Sequence, residues 1–402
     1  MKKILSLLLC IILSFWGCSV HIWASGEEPD MDLSDNDSEN SSVDVSGIEI
    51  NAKSAVLMDA ETGTVLFTKN ASEALPPASV TKVMTLLLVA EAIADGTVTL
   101  EQKVMVSENA SSMGGSQIFI KEGEEFTVEE LLKSTVIASA NDAAVALAEL
   151  IAGSEGEFVK KMNDRAKELG MNNSVFENST GLDDTVTNHL TSAYDIAVMS
   201  RELLKHDIIT KYSNVWQDSI RDGEFILTNT NRLVRFYDGC TGLKTGSTDK
   251  AGFCVSATAK RDGLHLIAVI MGAESRDDRN NSARALLDYG FANFSILIDP
   301  ESALESVPVT YGTVDEITVY SEHFSKLVNK SDKKRVEKIY NIPETLTAPL
   351  CEGDQVGEIV YKLDDEVIGK TAIVVRENVE KIGVLELFGR IIRVIFVGNA
   401  SK

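Results

Sequence analysis

Several residue types are scarce in this chain, and each scarcity closes a route. Cysteine occurs only five times in 402 residues. Cys10 and Cys18 lie in a leader-like start, which leaves Cys240, Cys254 and Cys351. An odd count makes no disulfide framework, although one pair is open, and no Cys/His spacing suits zinc. Histidine is equally sparse (His21, His189, His206, His265, His323) and scattered, so no Ser-His-Asp triad can be argued and each reads as structural. Positive charge is short: 38 Lys and Arg face 61 Asp and Glu, a net charge of −23. That excludes a nucleic-acid surface. It also means that an anionic membrane or wall polymer repels the body of the protein, so work there needs a separate attachment. No cofactor motif or metal-ligand cluster is read.

Neither end carries an apolar run of spanning length. The start has the form of a secretory signal instead: Lys2 and Lys3, an apolar stretch from Ile4 to Trp16, and small residues at Ala24 and Ser25 that suit cleavage near Ala24. Bulky Phe15-Trp16 argues against a lipoprotein reading of Cys18. Residues 25–47, rich in Asp, Glu, Ser and Asn, read as a solvated acidic tether.

What is present is organised around Pro77-Ala78-Ser79-Val80-Thr81-Lys82 and the apolar run that follows. The run is apolar nearly all round, as in a buried helix. Ser79 is expected in its first turn with Lys82 one turn on; residues three apart share a face. A lysine aimed into a core is uncommon unless paired or functional, and a serine beside an amine that can take its proton is an activated nucleophile. The spacing alone is weak, since Ser247–Lys250 and Ser331–Lys334 repeat it; the buried context separates Ser79–Lys82 from an ordinary capped helix start.

Ser54–Asp59 and Thr64–Phe67 read as a hairpin around Ala60-Glu61-Thr62-Gly63. Val128–Gly153 is helical but broken at Ser139-Ala140-Asn141-Asp142, where polar side chains sit between two apolar helices. Cys240–Thr245, Gly252–Ala259 and Leu264–Met271 read as antiparallel strands, with Asp262-Gly263 a tight turn. Lys244-Thr245-Gly246 lies in the first of these: a cation followed by a hydroxyl suits a carboxylate, and glycine leaves room for a ligand backbone. Arg279–Phe291 reads as a closing helix. The pattern is α+β, one antiparallel sheet with its terminal strands adjacent and helices packed on it. From about Ile296 a separate β-rich domain begins, with the charged stretch Asn329–Lys338 a solvated loop or hairpin. Residues from Val384 to Val397 place Glu386, Arg390 and Arg393 on one helical face, an amphipathic in-plane anchor by this reading.

Ser-x-x-Lys, Ser-x-Asn and Lys-Thr-Gly in this order form the signature of penicillin-binding proteins and β-lactamases. With Asp59–Gly63, Asn178–Leu182 and Gly242–Gly246 added, the chain resembles the low-molecular-mass penicillin-binding serine D-alanyl-D-alanine carboxypeptidases over about Ile48 to Phe294. Ala140 stands where glycine is common and Ser179 where many members have proline. The resemblance implies a transpeptidase-like domain at 48–294, a β-rich domain at 295–380 and an anchor helix at 381–402, behind a signal at 1–24 and a linker at 25–47. It implies Ser79 as nucleophile, Lys82 as its base and Ser139 as proton relay. Asn141, Lys244, Thr245 and Gly246 would bind substrate, with Ser79 and Ser247 N–H groups as the oxyanion hole. The expected partners are peptidoglycan stem peptides ending in D-Ala-D-Ala, β-lactams as covalent inhibitors, and the outer face of the cytoplasmic membrane. A class A-like β-lactamase, for which no deacylating glutamate is identified, and a non-catalytic wall-binding protein are the alternatives.

Overall fold

Strand alternation explains how the catalytic sheet is built. In β1 (Ser54–Asp59), Val56 and Met58 point into one core while Ala55 and Leu57 point into another. The structure, a computed structural model, describes residues 48–389 apart from Thr185. The expected signal, acidic tether and all but the start of the anchor helix lie outside the described residues.

The remaining elements used below are β2 (Val65–Lys69), α1 (Lys82–Ala94), α2 (Val128–Ile137), α3 (Asn141–Ala152), α4 (Ala193–Leu203), β3 (Cys240–Thr248), β4 (Gly252–Arg261), β5 (Leu264–Ala273) and α5 (Arg276–Asn293). Five antiparallel strands run in the order β2-β1-β5-β4-β3. The expectation of adjacent terminal strands holds: Ser54 faces Met271. One face packs on α1 and the helices around it, the other on α5. Both faces are covered, so β5 is apolar at nearly every position. Asp262 and Gly263 both take positive φ, 50° and 85°, the geometry a two-residue hairpin turn requires.

The break expected inside Val128–Gly153 falls at Ser139, which adopts φ 62° between α2 and α3. Helix α2 opens with a reciprocal capping box between Thr127 and Glu130. Ala140, rather than Asn141 or Asp142, is the N-cap of α3.

Beyond α5, six strands lie in the order Val336–Asn341, Gln355–Leu363, Glu366–Val375, Glu316–Ser321, Ser302–Thr310, Leu346–Thr347, around their own apolar core. A two-stranded ribbon, Phe294–Asp299 with Phe324–Asn329, joins them to α5. The sequence reading does not anticipate this ribbon, nor the hairpin of Gln217–Ile220 with Phe225–Thr228. The basic turn after the ribbon is more than a solvated loop. Lys330 Nζ donates to the Phe291 carbonyl (3.2 Å) and Lys333 Nζ to that of Ile296 (2.7 Å), so its cations sit on the C-terminal carbonyls of α5 and the strand after it. Cys240, Cys254 and Cys351 are free thiols. The described chain ends in helical residues 384–389, with Leu385 and Phe388 exposed, and no described helix is long and apolar enough to cross a membrane.

Candidate active site

Ser79 does not sit in the first turn of α1, as the spacing suggests, but in a 3₁₀ turn, Ala78–Thr81, immediately ahead of it. The tighter winding eclipses side chains three apart. It brings Lys82 Nζ to 3.0 Å from Ser79 Oγ. Strand β3 packs directly on this turn. A Cβ on Gly246 would lie 2.7 Å from Ser79 N and 2.9 Å from both Pro77 O and Val80 N, so only glycine lets strand and turn approach this closely.

Lys82 is fully buried. Its amine contacts Asn141 Oδ1 (2.5 Å) and the Thr180 carbonyl (2.8 Å) as well as Ser79. Burial first, and then the charge of Lys244, hold its pKa well below the ordinary lysine value; Asp142 opposes them. A neutral amine has two N–H donors and one lone pair. The two carbonyl oxygens can only accept, so in the neutral form they would claim both donors and leave the lone pair to the Ser79 hydroxyl.

Lys244, also buried, donates from β3 to Ser139 Oγ (2.7 Å) and to its neighbour's carbonyl, Thr245 O (3.0 Å). Burial, with help from the charge of Arg279, brings its pKa down to about 7. Ser139 is the proton relay that the resemblance implies. Its hydrogen bond is to Lys244, whereas Lys82 turns to Asn141. The left-handed backbone at Ser139 is what aims its hydroxyl at β3, a conformation that costs a non-glycine residue of order 1–3 kcal/mol. Asn141 donates from Nδ2 to Gly114 O (2.7 Å), which leaves one N–H of its amide. Asp142 accepts from the backbone N–H groups of Ile118 and Ile120, fixing the segment that brings Ser116 to the rim.

These groups border a cleft of about 310 Å³, lined by Ser79, Ser116, Ser139, Thr245, Gly246 and Ser247. Lys82, Asn141 and Lys244 lie behind the lining. Thr245 Oγ1 donates to Thr230 Oγ1 (2.8 Å). Three guanidiniums, Arg232, Arg276 and Arg279, make the cleft cationic in an otherwise acidic protein. Arg279 is buried and, among the described residues, donates to Asn280 Oδ1 (3.0 and 3.1 Å), and burial lowers its pKa to about 10. The sequence reading misses Thr180, Thr230 and these arginines. Arg276 and Arg279 share a helix face by spacing, but that helix was expected to begin only at Arg279. Among the described residues no group of His, Cys, Asp or Glu is placed to hold a metal ion.

Residues 39–275 match the family model described as D-alanyl-D-alanine carboxypeptidase, and 296–381 match that of the penicillin-binding protein 5 C-terminal domain. D-alanyl-D-alanine carboxypeptidase DacF of Bacillus subtilis (strain 168) is 44% identical over 347 residues, covering 84% of this chain and 88% of that protein. The crystal structure of penicillin-binding protein 5 from Haemophilus influenzae superposes with TM-score 0.67 at 29% identity, over 84% of this chain and 100% of that one. Penicillin-binding protein D2 of Listeria monocytogenes, solved in its ampicillin-bound form, gives TM-score 0.56 at 29% identity, over 60% of this chain and 98% of that one. A serine and a lysine held in contact at the floor of a cationic cleft, on a chain with these relatives, place it in the serine-type D-alanyl-D-alanine carboxypeptidase family.

Proposed function

We propose that Ser79 is the nucleophile with which this enzyme removes the terminal D-alanine of peptidoglycan stem peptides, and that Lys82 is its base. The observation that carries the assignment is the disposition of Lys82: its Nζ lies 3.0 Å from Ser79 Oγ while Asn141 Oδ1 and the Thr180 carbonyl, which can only accept, take its other contacts, so that once neutral its lone pair is left for Ser79. In this reading Ser79 Oγ bonds to the carbonyl carbon between the two D-alanines while its proton passes to Lys82 Nζ. The developing oxyanion faces the N–H groups of Ser79 and Ser247; one such donor typically contributes about 3 kcal/mol. Collapse breaks the C–N bond. The departing amine takes a proton through Ser139, which Lys244 contacts at 2.7 Å. Water then cleaves the ester.

Lys244 and Thr245 receive the terminal carboxylate, with the arginines of the cleft adding positive potential. A carboxylate arriving beside Lys244 raises its pKa from about 7 and fixes its charge. The remaining N–H of Asn141 serves the amide of the acyl side, and Gly246 lets that backbone lie along β3. β-Lactams acylate Ser79 as mimics, in keeping with the ampicillin-bound form of the Listeria relative. The protein works outside the cytoplasmic membrane, delivered by the leader-like start and held to the membrane by the helix that begins at Val384.

Mass spectrometry after incubation with a pentapeptide ending in D-Ala-D-Ala tests the whole reading: loss of one alanine is expected. Intact peptide together with fast turnover of penicillin would instead support the β-lactamase alternative, and neither activity would support the non-catalytic one. Lys82→Ala should lower acylation by labelled penicillin by roughly 10²–10⁴-fold with the fold retained. Undiminished labelling would remove Lys82 from the base role.

A further inference from the structure

The segment from Phe176 to Leu190 forms a loop that meets α1 at several points. At its neck Val175 and Leu190 pair as an antiparallel bridge. Towards its apex the Thr180 carbonyl accepts from Lys82, and the Ser179 carbonyl accepts from Thr85 Oγ1 (2.6 Å). Gly181 lies so close to the Ser79 turn that a Cβ there would fall 1.8 Å from Ala78 O and 2.7 Å from Thr81 Oγ1. The loop therefore supplies one of the two carbonyls that orient the Lys82 lone pair.

His189, buried at the neck, ties this loop to the turn. The Glu177 N–H donates to its Nδ1 (3.0 Å), so Nδ1 is the unprotonated nitrogen. The ring proton is then on Nε2, which contacts Thr81 Oγ1 at 2.7 Å. Thr81 immediately precedes Lys82 and closes the turn that holds Ser79. We propose that His189 is a positioning residue for acylation: its Nε2–H, given to Thr81, clamps the loop neck to the nucleophile turn and thereby keeps the Thr180 carbonyl on Lys82. The clamp needs the neutral ring, and burial keeps it neutral, with a pKa of about 4 against the opposing charges of Glu177 and Asp183. The inference rests on the roles of Ser79 and Lys82 given above.

Acylation by a chromogenic penicillin separates the noncovalent binding constant from the acylation rate constant, and the clamp acts on the second. His189→Asn keeps an acceptor for Glu177 but is too short for Thr81; Thr81→Val removes the same bond from the other side. Each should slow acylation on the order of 10–100-fold, as expected for sub-ångström misplacement of a reacting group, with noncovalent binding unchanged. The double variant should be no slower than the worse single one, and Thr81→Ser should restore the rate. In His189→Asn the acid limb of the acylation rate should also move to higher pH. A loosened loop admits water to Lys82 and relieves the burial that depresses its pKa, while Lys244 and Asp142 still face it. Wild-type acylation constants in both single variants would overturn the clamp alone. So would equal losses in binding and acylation accompanied by lower thermal stability, which mark a merely structural histidine. Failure of the wild-type enzyme itself to be acylated would instead overturn the assignment of Ser79 and Lys82 on which the clamp depends.

Discussion

Alanine at position 246 should disable the enzyme without altering any reacting side chain. The added methyl meets backbone on every side: Ser79 N at 2.7 Å, Pro77 O and Val80 N at 2.9 Å. No flexible side chain can yield, so strand and turn must separate by about 0.7 Å to reach ordinary contact. That gap opens between the turn carrying Ser79 and the strand carrying Lys244 and Thr245. Misplacement near 1 Å costs about 100-fold in a positioned reaction. A fall in acylation of some tens-fold is therefore expected, together with about 1–3 kcal/mol of overpacking. Rapid-mixing kinetics with a fluorescent penicillin reads the first, and urea unfolding the second. A Gly246→Ala protein with wild-type acylation and wild-type stability would refute the claim that β3 and the Ser79 turn are held at a distance only glycine permits.

Stability should fall as pH drops from about 6.5 to about 4, because burial holds both His189 and His265 near pKa 4 in the native state against an ordinary value of 6.5. Across that window the unfolded chain binds protons that the folded one refuses, so stability is complete above it and lost through it, by on the order of 3 kcal/mol for each ring. Urea midpoints at several pH values check this, and a flat profile would contradict it. Ser179→Pro should destabilise by about 1–3 kcal/mol, since Glu155 Oε1 loses both the Ser179 N–H (3.0 Å) and hydroxyl (2.7 Å); an unchanged melting temperature would show that Glu155 finds other partners. Removing residues from Gly383 onward should release a still active soluble enzyme; a truncated form that stays with membranes would place the attachment elsewhere.

The parts legible in the sequence are those written in local spacing. The hairpin of β1 and β2, the Asp262-Gly263 turn and the break at Ser139 could each be read within a few residues. Ser79 and Lys82 stood out because they open an apolar run, and Lys244 because a cation is followed there by a hydroxyl and a glycine. The Thr180 carbonyl could not be found this way, as a backbone acceptor leaves no trace in residue type. His189 was read as merely structural because its partner Thr81 lies 108 residues away. Arg279 was read only as the start of a closing helix, whereas α5 starts at Arg276 and carries Arg279 into the cleft. The two-stranded ribbon was missed for a similar reason: its two short segments gain strand character only by pairing with each other.

The position of β5 between β1 and β4 bears on how the enzyme is made. Ser54 cannot find Met271 until nearly the whole catalytic region has been synthesised, and pairings so distant in sequence are slow to form. A chain interrupted before Leu264 already possesses Ser79, Lys82, Ser139 and Lys244 but lacks the strand that joins the hairpin of β1 and β2 to the one formed by β3 and β4. Fragments that end before Leu264 should thus be inert towards penicillin, and the nucleophile is assembled only once the sheet can close.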